Sequence, residues 1–229
     1  MTGKVIQAVV FDLDGLLIDS EPVQFAAWEA FVARYGRTLN ADLMSRMYGT
    51  RLVDSAQMVA RELDLPIDGA QVAVERDELF FSMIPGNIGA KPGAIELLAW
   101  LERAGVATAL ATSGHRRYVE LACRSAGIPR SFDVEVTGDL VERGKPHPET
   151  FLRAAELLGV VSGATLVLED SPQGVQAAVA AGAICFAVPD DPSRHAVDLS
   201  HAHLIVPSLG DVAQAAADYG LEFSNSSQG

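Results

Sequence analysis

A chain of 229 residues, 49% of them hydrophobic, is long enough for one large or two small domains and too apolar to be disordered. Its net charge of −13 argues against nucleic acid, which needs a positive footprint on its partner. No apolar stretch has the length of a membrane span, Met1-Thr2-Gly3-Lys4 runs into a strand without a signal-peptide pattern, and Cys123 and Cys185 sit in apolar surroundings that suit buried thiols better than a disulfide; a cytoplasmic protein is expected.

The apolar run from Val5 to Phe11, interrupted by Gln7, reads as a short buried strand that stops at Asp12 and Asp14. Two carboxylates at the end of a buried strand repel each other unless a cation lies between them, and hard oxygen ligands suit Mg²⁺. The plainer alternative is a strand end and a turn. Ser20, a candidate N-cap, opens a helix over 22–35 with Val23, Ala26, Ala27, Ala30 and Phe31 at helical spacing. Helical patterns follow over 40–47, 52–63 and 68–84, with no convincing strand among them. After Pro85-Gly86-Asn87 the pattern changes. Helices are expected over 92–104, 116–126, 148–158, 173–181 and 209–219, alternating with strands over 106–111, 132–137, 165–168, 183–188 and 204–206. This alternation predicts an α/β fold: a doubly wound, Rossmann-like parallel-sheet core made of residues 1–18 and 86–229, into which residues 19–85 insert as an all-α domain.

In such sheets ligands sit outside the carboxyl ends of the strands, so the residues that end each strand carry the functional signal. The first strand ends in Asp12 and Asp14. The strand over 106–111 ends in Thr112-Ser113-Gly114, either a phosphate cradle at a helix N-terminus or an ordinary hydroxyl cap. The strand over 165–168 ends in Glu169-Asp170-Ser171, either acids beside Asp12 or an N-cap for the next helix. Between these lies Gly144-Lys145-Pro146, whose lysine is constrained by its neighbours or simply solvated.

These four signals in this order resemble the haloacid dehalogenase superfamily, which consists mostly of phosphatases. Asp12-Leu13-Asp14-Gly15 is similar to its first motif, Thr112 to the second, Lys145 to the third and Glu169-Asp170 to the fourth, so the resemblance covers nearly the whole chain. The helical insert looks like the small cap of the branch that holds sugar-phosphate phosphatases and β-phosphoglucomutases. The resemblance implies a Mg²⁺-dependent reaction on a small phosphorylated metabolite. Asp12 would be the nucleophile that forms an aspartyl phosphate, and Asp14 the general acid and base. Asp12, the Asp14 carbonyl and Asp170 would hold the metal, with Glu169 binding it directly or through water. Thr112 and Lys145 would stabilise the transferring group, and backbone N–H groups around Leu13, Ser113 and Gly114 would complete the cradle.

Asp14 favours phosphoryl transfer over halide displacement, which needs no proton donor. Lys4, Lys91 and Lys145 are the only lysines, so the insert lacks the imine-forming lysine of the phosphonate-cleaving relatives. Arg51, after Gly49-Thr50, stands where related caps place a substrate-facing loop, and Arg116 stands where mutase relatives bind a distal phosphate; each is equally readable as a surface arginine. The segment from Asp19 to Trp28 follows the mutase pattern, but Gln24 replaces its histidine and cannot titrate near neutral pH. Hydrolysis of a small sugar or polyol phosphate is therefore favoured over a β-phosphoglucomutase-type reaction. A non-catalytic binding protein on this fold and a response-regulator-like phosphoacceptor are weaker alternatives, the second because the chain is too long and carries the insert. The five histidines have no zinc spacing. No nucleic-acid or membrane partner is expected, and the chain is expected to act as a monomer or small homo-oligomer.

Overall fold

The computed structural model describes residues 4–47, 52–190 and 198–224. In chain order the elements are β1 (Lys4–Ile6), β2 (Ala8–Phe11), β3 (Ile18–Asp19), α1 (Glu21–Ala33), α2 (Ala41–Met47), α3 (Leu52–Glu62), α4 (Gly69–Met83), β4 (Gly89–Ala90), α5 (Ala94–Ala104), β5 (Ala107–Ala111), α6 (Arg116–Ala126), β6 (Val134–Val136), α7 (Glu149–Leu157), β7 (Thr165–Glu169), α8 (Pro172–Ala180), β8 (Ile184–Ala187), β9 (Leu204–Ile205), α9 (Val212–Asp218) and β10 (Leu221–Phe223). The chain divides into two compact units, Met1–Asp19 with Gly89–Gly229, and Ser20–Ile88.

The first unit is built on a six-stranded sheet in the order β6-β5-β2-β7-β8-β9, with every pairing parallel. A parallel sheet is covered on both faces, so its strands are apolar throughout rather than alternating. Every residue of β2, β7 and β8 is buried, Glu169 at the end of β7 included. Alternate positions still face opposite ways. Val10, Ala109, Ala111, Val136, Val167, Cys185 and Ala187 form one cluster with Phe151 and Ala154 of α7 and Val175 and Ala178 of α8. The alternation of strand and helix read from the sequence is the architecture observed.

Several local expectations are corrected. The run from Val5 to Phe11 is two strands, because the chain turns aside at Gln7, whose N–H bonds to the Ala164 carbonyl at 2.8 Å. β1 then pairs with β10 in a separate parallel ribbon, while β2 enters the main sheet. β3 and β4 form a second small ribbon, antiparallel, with Ile18 opposite Ala90. Ser20 precedes α1 in helical conformation and makes no side-chain cap bond; Pro22 fits the first turn, where no N–H is needed.

The second unit contains α1 to α4 and, among the described residues, no strand. Its own core gathers Trp28, Phe31, Val32, Leu43, Met47, Ala56, Val59 and Val72. Asp68 caps α4 by accepting the Gln71 N–H at 2.9 Å. Arg76 is 3% exposed, with its guanidinium over the rings of Trp28 and Phe80 at 5.0 and 4.8 Å. The same group donates to the backbone carbonyl of Gln24 at 3.0 Å and to its amide oxygen.

Cys123 and Cys185 are free and buried, and burial pushes their thiols up to about 11 and about 12. Among the described residues no helix is long and apolar enough to cross a membrane.

Candidate active site

The sheet order brings the strand ends together. β2 lies between β5 and β7, with Phe11 in register with Leu110 on one side and Leu168 on the other. The residues that follow therefore leave the sheet along one edge: Asp12, Thr112, Glu169 and Asp170. Asp12 is tied to this edge by its N–H to the Leu168 carbonyl at 3.1 Å, and Thr112 by its N–H to the Val136 carbonyl at 3.0 Å. All four are buried.

Lys145 reaches the same place from the loop between β6 and α7. Its ammonium donates to Asp12 Oδ1, to Glu169 Oε1 at 2.6 Å and to the Ala111 carbonyl at 3.1 Å, and lies 4.8 Å from the Phe151 ring centre. An ammonium has three protons, and three oxygens accept them. Glu149, the first residue of α7, braces the loop by accepting the N–H groups of Glu142 at 2.7 Å and Arg143 at 3.2 Å. Backbone donors hold the Glu149 carboxyl below the usual carboxylate range, with Arg143 adding to them.

Glu169 is fully engaged. Its Oε2 accepts the N–H groups of Asp170 and Ser171 at 2.9 and 2.8 Å and the Ser171 hydroxyl at 2.9 Å, while Oε1 takes Lys145. Ser171 also caps α8 through Gly174 N–H at 3.1 Å, so the cap reading of this turn and the acid cluster coexist. Asp12, Glu169 and Asp170 each present a carboxylate oxygen, all within 4.8 Å of one another.

One buried ammonium faces three buried carboxylates, and the titration behaviour reflects that deficit. Burial pushes Asp12 up to about 7 despite the Lys145 charge, with Glu169 and Asp14 adding to the shift. Burial, then Glu169 and Asp12, raise Asp170 well above the ordinary carboxylate range. Burial works against the Lys145 ammonium as well, but Asp12 and Glu169 outweigh it and hold the proton on. A hard divalent cation would remove the deficit, and the donors are all oxygens, so the residues present fit Mg²⁺. The backbone also makes room: Gly15 has φ +78°, and a Cβ there would stand 2.1 Å from Asp170 Oδ2. The Asp170 carboxylate thus rests against the turn that follows Asp14.

The other residues singled out from the sequence fall in different places. The Asp14 carboxylate is half-buried, stands outside the acid cluster and accepts the Tyr118 hydroxyl. Leu13 is buried, and its carbonyl closes the turn by accepting Leu17 N–H and Ile18 N–H at 2.9 and 3.1 Å. Thr112 Oγ1 accepts Gly114 N–H at 3.0 Å, so that N–H is committed while the hydroxyl keeps its own proton to donate. Ser113 is exposed, and α6 is capped by His115 Nδ1 rather than by either hydroxyl. Arg116 has its guanidinium against Glu120 at 3.4 Å and a side chain 71% exposed, so it is engaged on the helix surface rather than with Asp12, Lys145 or Asp170. Arg51 lies outside the described residues.

The model of the haloacid dehalogenase-like hydrolases matches residues 6–182, which takes in all four motif segments. The chain belongs to that family. This hydrolase is 34% identical over 181 residues to the phosphorylated carbohydrates phosphatase of Thermotoga maritima, a match covering 77% of this chain and 82% of that protein. It is 34% identical over 194 residues to hexitol phosphatase A of Escherichia coli, covering 83% and 88% of the two chains. Among solved structures it is similar to a candidate β-phosphoglucomutase from Thermotoga maritima, at 29% identity and a TM-score of 0.79, covering 93% of this chain and 99% of that one.

Two residues of the hydrolase support this site with no mark in its sequence: Tyr118 bonds to Asp14, and Glu149 braces the loop that carries Lys145. Tyr118 shares the buried stripe of α6 with Val119, Ala122 and Cys123 and so reads as core. Glu149 reads as an ordinary acid in the first turn of α7. In neither case does the sequence pattern carry a signal for the bond, which spans 104 positions from Tyr118 to Asp14 and seven and six positions from Glu149 back to Glu142 and Arg143.

Proposed function

We propose that this enzyme hydrolyses a small phosphomonoester, a sugar or polyol phosphate, by transient phosphorylation of Asp12. It is a phosphoric monoester hydrolase. The observation that carries the reading is the edge of the central strand: Asp12 bonded by Lys145, an Asp170 carboxylate oxygen within 4.8 Å of one on Asp12, and Asp14 two residues further on. The named carbohydrate and hexitol phosphatases among its relatives support the substrate class.

Asp12 attacks phosphorus, the ester P–O bond breaks as the acyl phosphate forms, and Asp14 delivers a proton to the departing alcohol oxygen. Asp14 then takes a proton from the water that attacks phosphorus, inorganic phosphate leaves, and Asp12 is restored. Lys145 offsets charge on Asp12 and on the group in transfer. The Thr112 hydroxyl donates to a phosphate oxygen, with the N–H groups of Leu13 and Ser113 beside it. Glu169 holds Lys145 and the turn at Asp170, so its part is to orient. Asp12, Asp170 and the Asp14 carbonyl would hold Mg²⁺, which when bound would supply the positive charge that an anionic nucleophile needs beside an anionic phosphate.

The likeness to a candidate β-phosphoglucomutase favours a second reading, phosphoryl transfer back to a sugar. Gln24 weighs against it: its amide oxygen accepts from Arg76 and it has no titratable group.

Phosphate release from a panel of sugar, polyol and nucleotide monophosphates, with and without Mg²⁺, tests the proposal. Release that needs Mg²⁺ and falls at least about a thousandfold in Asp12→Asn is the expected result. Conversion of β-glucose 1-phosphate to glucose 6-phosphate with a bisphosphate primer, without net phosphate release, would establish the mutase instead.

A further inference from the structure

The geometry points to Tyr118 as a residue that positions the proton-transferring carboxylate, Asp14, by holding one carboxylate oxygen through its phenol. This deepens the proposed function and rests on its assignment of Asp14.

Tyr118 lies in the first turn of α6 and is 5% exposed. Its hydroxyl donates to Asp14 Oδ1 across 104 positions of sequence. Both ends of the residue are fixed. Its backbone N–H bonds to His115 Nδ1 at 3.3 Å, which sets the start of the helix. Its ring lies so close to the Thr112-Ser113-Gly114 turn that a Cβ at Gly114 would stand 2.6 Å from Tyr118 Cδ1. The ring can therefore rest on the turn that offers Thr112 to the phosphate while its hydroxyl reaches the carboxylate that serves the leaving group. An aromatic side chain has only two torsions, so a ring held in this way fixes its hydroxyl closely.

Asp14 is half-buried in the turn after β2 and lies outside the Asp12, Glu169 and Asp170 cluster, and the phenol bond fixes one of its carboxylate oxygens. At neutral pH a phenol is a hydrogen-bond donor, and donation to Oδ1 assigns that oxygen. The proton passed to the alcohol then resides on Oδ2: the Oδ2–H bond breaks as the O–H bond of the alcohol forms and the ester P–O bond opens. A carboxyl free to rotate would present the proton in the reactive geometry for a smaller fraction of encounters.

The test compares leaving groups. An alkyl phosphate expels a basic alkoxide and needs the acid; p-nitrophenyl phosphate expels a stable phenolate and needs it far less. Values of kcat/KM, which report steps up to the first irreversible one, are measured for wild type, Tyr118→Phe and Asp14→Asn on p-nitrophenyl phosphate and on the best alkyl monophosphate. Tyr118→Phe should lose about tenfold more on the alkyl ester than on the aryl ester, with KM for the two moving together, and Asp14→Asn should show the same preference more strongly. Equal losses on both esters in Tyr118→Phe, while Asp14→Asn still discriminates, would overturn the Tyr118 assignment alone. Equal losses in Asp14→Asn would overturn the general-acid reading of Asp14, and the role of Tyr118 with it. The aryl ester also reports folding, since a variant with a collapsed site loses both substrates.

Discussion

Asp12 bears the electrostatic conflict of the core unit. Its carboxyl is pushed up to about 7 by burial, against a value near 3.8 in an unfolded chain. The folded protein without metal therefore holds this proton more tightly than the unfolded one. Stability from this group is complete at acid pH and is lost as pH rises from about 4 through about 7. A cation bound by the same carboxylate would compete with the proton, so its binding would strengthen over that interval. Calorimetry of the metal-free enzyme should show Tm falling between pH 5 and pH 7.5, with a shallower fall in Asp12→Asn. Millimolar Mg²⁺ should raise Tm more at pH 7.5 than at pH 5. Equal Mg²⁺ shifts at both pH values, or identical slopes in the two proteins, would contradict this account.

At the scale of the element, the loop between β6 and α7 is the least regular support in the site and carries its one buried ammonium. Glu149 closes the loop by accepting two backbone N–H groups, a task no apolar residue can perform. Glu149→Ala should lower kcat by up to about a hundredfold through displacement of Lys145, while Glu149→Gln, which keeps one acceptor oxygen, should recover part of the loss. Turnover in Glu149→Ala equal to wild type would show that Lys145 is held without the loop brace. The same scale explains what the sequence makes legible. Strands of four or five apolar residues ending in Asp12, Thr112 and Glu169 are readable, because parallel strands deliver their ends to one edge. β3, β4 and β10 are two or three residues long and show no period. Ser20 has the right chemistry for a cap and the wrong backbone for one. Tyr118 fits its helix stripe so well that its hydroxyl bond to Asp14 leaves no trace in the pattern.

At the scale of the whole chain, the charge of −13 works against the proposed substrate. A dianionic phosphomonoester approaches through a repulsive field, and the positive charge that binds it is local. Salt screens the long-range repulsion first. At fixed Mg²⁺ and pH, kcat/KM should therefore rise a few-fold between about 10 mM and about 150 mM ionic strength. A fall over that range would mean that attraction at the site dominates the approach. The chain passes between the two units twice, after Asp19 and before Gly89, and each unit gathers an apolar cluster.

The place of β2 in the sheet has a further consequence, for the order in which the enzyme comes to life. β2 is the second strand of the chain, yet Ala8 pairs with Ala107 on one side and Thr165 on the other. Such distant pairings are slow to close, because the intervening chain must be ordered first. A polypeptide interrupted before β7 has half a socket for its central strand, and it lacks both Glu169 and Asp170. Its Asp12 is a carboxylate on a segment without its sheet partners and cannot yet serve as the proposed nucleophile. On the proposed mechanism, phosphoester chemistry is withheld during synthesis until the fourth motif has been added and the sheet has closed around it, and an unfinished chain has no means of attacking phosphorylated metabolites in its surroundings.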